Sequence, residues 1–287
     1  MDSSDKCKVI VGCDERNDYG MAMFGFIGVG NMGKPLFKAA VNTFGKDQVI
    51  YSSGPIDYME GIAKETGIPY TKDNMTVAMN CKYLVLAVKP QIFPIILEEI
   101  KEHITKDHII ISIAVGLTID SIKKSLGQDV RVVRAMPNTP AQVNEGMTGI
   151  SYSDDEFSEE DRRILDEFFS SFGKYELFDE KLMNAVGCAS GSSPAYAYIF
   201  IEALADSVVS LGIPRDKAYS MVAQTLLGSA KMVLESGEHP AKLKDRVCSP
   251  GGTTITGVKA LEEHGFRNAI MKASEACYER TVEMSQE

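Results

Sequence analysis

The residues of this chain best suited to chemistry are short runs of glycine, serine and threonine that close apolar segments. Gly28-Val29-Gly30-Asn31-Met32-Gly33 is a G-x-G-x-x-G run, placed directly after the apolar stretch Met23–Ile27 and before a helical segment. In that setting the first glycine permits a tight turn and the second lets a diphosphate approach the backbone. The third lets helix and strand pack closely. The helix N-terminus then offers free N–H groups to phosphate oxygens. Dinucleotide binding is the chemistry implied, against the plainer alternative of a structural glycine turn. The next strand-like run ends in Ser52-Ser53-Gly54, with no acid until Asp57. A site built for NAD usually places Asp or Glu there, on the ribose 2′-hydroxyl; small hydroxyls leave room for a 2′-phosphate. NADP is therefore favoured and NAD admitted, unless the serines only make a turn.

Two further runs sit at strand ends, where open α/β sheets bind their ligands. Lys89-Pro90-Gln91 offers a cation that attracts phosphate or simply stands on a solvated turn. Arg134-Ala135-Met136-Pro137-Asn138-Thr139-Pro140 is stiffened by two prolines, as a cleft wall or as a rigid turn. Later in the chain, Ser249-Pro250-Gly251-Gly252-Thr253-Thr254 precedes a helix. Exposed glycine backbone, two threonine hydroxyls and a helix N-terminus together form a nest for a carboxylate. A simple helix cap needs one Ser or Thr, which argues for a ligand site. Ala189–Tyr196 has similar chemistry and either lines the same cleft or caps the helix that follows.

Composition excludes other chemistries. The four histidines, His103, His108, His239 and His264, are scattered without an H-E-x-x-H pattern. None of the six cysteines (Cys7, Cys13, Cys81, Cys188, Cys248 and Cys277) stands in a C-x-x-C pair. They read as free thiols of a reducing cytoplasm, and no metal site is expected. The net charge of −10 is repelled by phosphate backbones, so nucleic acid is not an expected partner. A diffuse negative charge still permits a small anionic substrate held by local backbone donors. No apolar run approaches the ~20 residues needed to span a bilayer. The opening MDSSDKCKVIVGCDERNDYG lacks the basic start and long apolar middle of a signal peptide, so no membrane partner is expected.

The elements that must position these residues follow from the apolar pattern over the 287 residues. Nearly continuous apolar runs at 23–27, 48–51, 83–88, 109–113, 130–135 and 149–152 predict strands of a parallel sheet covered on both faces. Helices are predicted between them at 34–42, 58–66, 93–99 and 119–126, and a Ser158-capped helix carries Ile164, Leu165, Phe168 and Phe169. This alternation predicts a doubly wound α/β, Rossmann-type domain over 21–178. Strand signals then stop. Helical patterns at 181–186, 194–211, 214–234, 241–247, 254–263 and 266–284 predict an all-α domain over 179–287. In the second long helix Ala218, Met221, Val222, Thr225, Leu226 and Val233 fall near one face. Residues 1–20 read as an N-terminal extension.

The ordered set FIGVGNMG, AVKPQ, RAMPNTP, SGSSPAY and DRVCSPGGTTITGVKALEE resembles the pyrroline-5-carboxylate reductases, from about Met21 to the C-terminus. The last motif is the most specific. The resemblance implies NAD(P)H-dependent reduction of the cyclic imine 1-pyrroline-5-carboxylate to L-proline, the final step of proline biosynthesis. It implies cofactor contacts from Gly28, Val29, Gly30, Asn31, Met32, Gly33, Ser52, Ser53, Asn74, Ala87, Val88, Lys89, Pro90, Ala114, Val115 and Gly116. It implies substrate contacts from Gly251, Gly252, Thr253 and Thr254, with the Thr254 hydroxyl on the imine nitrogen, and an acidic residue, Glu180, near the substrate. It further implies a homodimer through intertwined helical halves, each site using both chains, and further assembly into a ring of five dimers. Ser193 stands where the family usually has glycine, and the leader is unlike the family. Two other readings stay open on the residues alone: a β-hydroxyacid dehydrogenase of the same architecture, and a non-catalytic nucleotide-sensing module.

Overall fold

A computed structural model describes residues 21–284; the expected extension over 1–20 lies outside the described residues. The first elements are β1 (Ala22–Ile27), α1 (Gly33–Phe44), β2 (Val49–Ser52), α2 (Ile56–Thr66), α3 (Asn74–Met79) and β3 (Cys81–Leu86). There follow α4 (Phe93–Ile100), β4 (Ile109–Ser112), α5 (Ile119–Leu126), β5 (Arg131–Met136), β6 (Gly146–Tyr152), α6 (Glu159–Ser170) and β7 (Gly173–Leu177). The seven strands form one sheet in the order β2-β1-β3-β4-β5-β6-β7. The first five are mutually parallel; β6 runs antiparallel to β5, and β7 runs parallel to β6. That reversal departs from the all-parallel expectation.

Side chains alternate between two buried faces with the period of a strand. Phe24, Phe26, Tyr83, Val85, Ile109 and Ile111 enter one core, with Phe37 of α1 and Phe168 of α6. Leu84, Leu86, Ile110 and Val132 enter the other, with Phe93 of α4 and Ile122 of α5. The Ser158 side chain caps α6 as expected, in a reciprocal arrangement with Asp161, and Ile164, Leu165, Phe168 and Phe169 are buried. Two elements escaped the pattern. β7 is a five-residue strand with Lys174, Glu176 and Leu177 exposed, the charged and short form typical of a sheet edge. α3 has six residues and buries only Val77 and Ala78.

The remaining helices are α7 (Met183–Val186), α8 (Ser193–Ser210), α9 (Arg215–Ser236), α10 (Pro240–Val247), α11 (Thr253–Glu263) and α12 (Phe266–Met284). The chain divides into two compact units. One runs to Gly191 and takes in the chain from Arg280; the other is Ser192–Glu279. The sequence pattern changes near residue 179, but the division falls after Gly191. The intervening segment is helical, yet its Met183 and Val186 are buried with Met136 of β5. In the second unit the buried apolar residues are Ala205, Ala218 and Val222. Met221, on the same face of α9, is 54% exposed. No helix of the described residues is long and apolar enough to cross a membrane.

Candidate active site

The three glycines after β1 are there for three different reasons. Gly28 has φ +93°, and a Cβ there would lie 2.7 Å from the Ala87 carbonyl oxygen. A Cβ on Gly33 would lie 2.3 Å from the Gly28 carbonyl oxygen. A Cβ on Gly30 would meet nothing within 4 Å. Internal packing thus explains the first and third glycine, whereas the second borders open space that a side chain would fill. The Lys34 N–H donates to the Gly30 carbonyl at 2.8 Å, closing the first turn of α1. That helix starts with no side-chain cap and no acid in its first turn, which leaves its positive end to an anion.

β1 has β2 on one side and β3 on the other, so the crevice of this sheet opens at the carboxyl ends of β1 and β3. The turns there are stitched together. Gly28 N–H donates to the Ser52 carbonyl at 2.9 Å, Ala87 N–H to Ile27 at 2.9 Å, and Ile113 N–H to Leu86 at 3.3 Å. Val29 N–H donates to Ser53 Oγ at 3.0 Å, and Ser52 Oγ donates to Asn74 Oδ1 at 2.6 Å. The expected residues Val29, Ser52, Ser53 and Asn74 are therefore one connected polar strip. Lys89, after β3, is exposed. Ala114, Val115 and Gly116 follow β4, and Gly116 takes φ +83°. Two contributors were not foreseen. Tyr58 Oη donates to the Val29 carbonyl at 2.7 Å, and Asn74 Nδ2 donates to Glu99 Oε2 at 2.8 Å. Neither belongs to a motif; Tyr58 lies 29 residues from its partner. The open space at Gly30 fits a diphosphate, and the end of β2 carries hydroxyls in place of an acid, with Glu99 reaching the strip only through Asn74 Nδ2.

Glu180 begins the segment after β7. Its Oε1 accepts the Ile119 N–H at 2.6 Å and an Arg134 Nη1–H at 3.3 Å. Arg134 is 3% exposed, and its Nη2 donates to Asn184 Oδ1 at 3.1 Å. Burial lowers the guanidinium's pKa, and the Glu180 carboxylate pulls it back up. A cavity of about 470 Å³ opens beside Glu180, lined also by Ile119, Ser151, Asp154 and Asp179. In the proline-flanked turn, Asn138 accepts the Met147 N–H at 2.9 Å and donates to the Ser190 carbonyl at 3.0 Å. Asn138 thus braces that turn internally.

In the helical unit, Gly251 has φ +68°, and Gly252 N–H donates to the Ser249 carbonyl at 3.0 Å. A Cβ on Gly252 would lie 2.4 Å from Ser249 Oγ. α11 begins at Thr253 without a side-chain cap, and Thr253 and Thr254 are exposed. The corner therefore presents helix N–H groups and hydroxyls to solvent. At Ser193 the backbone tolerates the missing glycine, since Asn144 is the only non-glycine residue with positive φ among the described residues.

Residues 180–284 match the family described as pyrroline-5-carboxylate reductase dimerisation, and residues 23–116 match NADP oxidoreductase coenzyme F420-dependent. The chain is 43% identical over 267 residues to the pyrroline-5-carboxylate reductase of Escherichia coli (strain K12), spanning 91% of this chain and 97% of that one. The chain belongs to the pyrroline-5-carboxylate reductase family. It is similar to the crystal structure of Plasmodium falciparum pyrroline carboxylate reductase with NADP bound, at TM-score 0.83 and 33% identity, covering 92% of this chain and 98% of that one. The Streptococcus pyogenes 1-pyrroline-5-carboxylate reductase gives TM-score 0.82 and 32% identity, covering 91% and 98%. Within the segment matching the family's dimerisation region lies an apolar groove of about 830 Å³, lined by Tyr196, Ile199, Phe200, Leu226, Phe266 and Ile270 among others. The helical unit is thus a self-association unit, and the protein a homo-oligomer.

Proposed function

We propose that this protein reduces 1-pyrroline-5-carboxylate to L-proline with NADPH, NADH also serving, as the last step of proline biosynthesis in the cytoplasm. The observation that carries the reading is 43% identity, across 91% of the chain, with a relative of that name. The open space at Gly30 supports it independently.

The Gly28–Gly33 turn, Val29, Asn31 and Met32 included, holds the diphosphate on backbone N–H groups. Ser53 and Asn74 receive the 2′-phosphate, and buried Ser52 holds Asn74 from behind. Ala87, Val88, Lys89 and Pro90 line the middle of the cofactor, and Ala114, Val115 and Gly116 its nicotinamide end. When bound, the reduced nicotinamide supplies a hydride to the imine carbon. Gly251, Gly252 and Thr253 hold the substrate carboxylate at the N-terminus of α11. Thr254 Oγ1 accepts the hydrogen bond of the protonated imine nitrogen and so orients the ring. A protonated imine is already electrophilic, so orientation suffices and no strong general acid is needed. The functional particle is a homodimer, with further assembly to a ring of five dimers. The test is oxidation of NADPH, followed by absorbance, on adding pyrroline-5-carboxylate to purified protein, with L-proline identified as product. Cofactor binding without turnover would sink the reading.

A further inference from the structure

We propose that Glu180 is a positioning residue for the cofactor and not a substrate ligand. Through its hold on the N-terminus of α5 it fixes the Ala114–Gly116 turn. This rests on the assignment of that turn to the nicotinamide end. Between the end of β4 at Ser112 and the start of α5 at Ile119, the chain is clamped at both ends. At the near end Ile113 N–H donates to the Leu86 carbonyl at 3.3 Å. At the far end Thr118 caps α5 through the Ser121 N–H, and the Ile119 N–H is taken by Glu180 Oε1 at 2.6 Å. Gly116, with φ +83°, sits between the clamps, so the path of the turn depends on both.

The far clamp is itself fixed. Arg134 stands in register with Ser112 of β4, and its buried guanidinium reaches Glu180 at 3.3 Å and Asn184 at 3.1 Å. Its Nε has no hydrogen-bond partner among the described residues, which leaves Glu180 as the carboxylate that neutralises it. Glu180 itself is only partly buried, but losing it would leave the buried Arg134 guanidinium without its carboxylate, so Glu180 is held where it stands. The other acids lining the adjoining cavity are Asp154 and Asp179. Glu180 is already committed to Arg134, and the two further acids disfavour a substrate carboxylate there.

Equilibrium binding of NADPH without the imine, together with kcat and KM for the imine, tests this in four variants. Glu180→Ala should weaken NADPH binding about tenfold, the scale of one charge-assisted hydrogen bond, with the imine KM moving less than about twofold. Glu180→Gln keeps an acceptor for the Ile119 N–H and should recover most of the affinity. Ile119→Pro removes that N–H together with part of a buried apolar side chain, at a first helical position where proline is tolerated and after a Thr118 already extended at ψ 157°. It should weaken NADPH binding as Glu180→Ala does, even if the alanine variant folds poorly. An imine KM that rises more than the NADPH Kd, or NADPH binding unmoved in both, overturns the proposal. Gly116→Ala separates the two levels. If it leaves NADPH binding intact, the assignment of the turn to the cofactor fails. If it weakens binding while the Glu180 and Ile119 variants do not, only the positioning role fails.

Discussion

Gly30 and Gly33 are the same residue type with opposite tolerances. A Cβ at Gly33 meets backbone at 2.3 Å, whereas one at Gly30 borders open space. Gly30→Val should therefore fold with an unchanged melting temperature and bind NADPH at least about tenfold more weakly, as titration and thermal melting would show. Gly33→Val should lose the fold. Thr254 carries a complementary expectation. Its side chain is exposed at the start of α11, so Thr254→Ala should lower kcat about tenfold and leave NADPH affinity as it was. An equal loss of NADPH affinity would speak against the assigned role.

At the scale of elements, Asp161 fastens α6 to the sheet. It accepts from Tyr83 Oη at 2.8 Å and Arg131 Nη1 at 2.7 Å, and pairs with Lys82 at 2.6 Å. Burial by itself would raise its pKa. The Lys82 hydrogen bond, with those of Ser158 and Tyr83, outweighs burial and holds the carboxyl well below its usual range. A carboxylate whose folded pKa is depressed stabilises the fold above its unfolded pKa of about 4 and loses that contribution as pH falls further. Asp161→Ala should cost about 3 kcal/mol at pH 7. Urea midpoints followed from pH 7 downward should decline less steeply in the variant than in the parent.

The same scale shows what the amino-acid order made legible. β1 to β5 are buried on both faces, which writes a near-continuous apolar run at each, and the glycine turn is contiguous with its strand and helix. β7 has no such run because its outer positions face solvent at an edge. α3 is too short for a periodic stripe, although Asp73, which accepts from the Met75 and Thr76 N–H groups, is a start signal that local reading could have used. The Glu180–Arg134 pair spans 46 residues and is set by tertiary placement alone. The polar strip at Ser52 and Asn74 is similar, with 22 residues between its partners. In the helical unit, α8 and α9 carry apolar residues on more than one side, so no single stripe marks the face turned inward.

At the scale of the molecule, the helical unit buries little of its own apolar surface. Ile199 is 63% exposed and Leu234 81% exposed, and the groove lined by Tyr196, Phe200 and Phe266 is open. A folded chain seldom leaves so much apolar surface uncovered without a partner. Ile199→Asp combined with Phe200→Ser should shift the protein to monomers in sedimentation velocity and abolish turnover. The melting temperature of the parent should rise with protein concentration, as mass action requires.

That thin helical core, with Ala205, Ala218 and Val222 as its buried apolar members, has a consequence for supply as well as for structure. A newly made copy that has not yet met a second one is the form that proteases degrade. At low expression, encounters between copies are rare, and the assembled amount grows as the square of the synthesis rate. Halving gene dosage would then remove well over half of the working protein. A defective sister chain made in the same cell would sequester sound copies in mixed pairs.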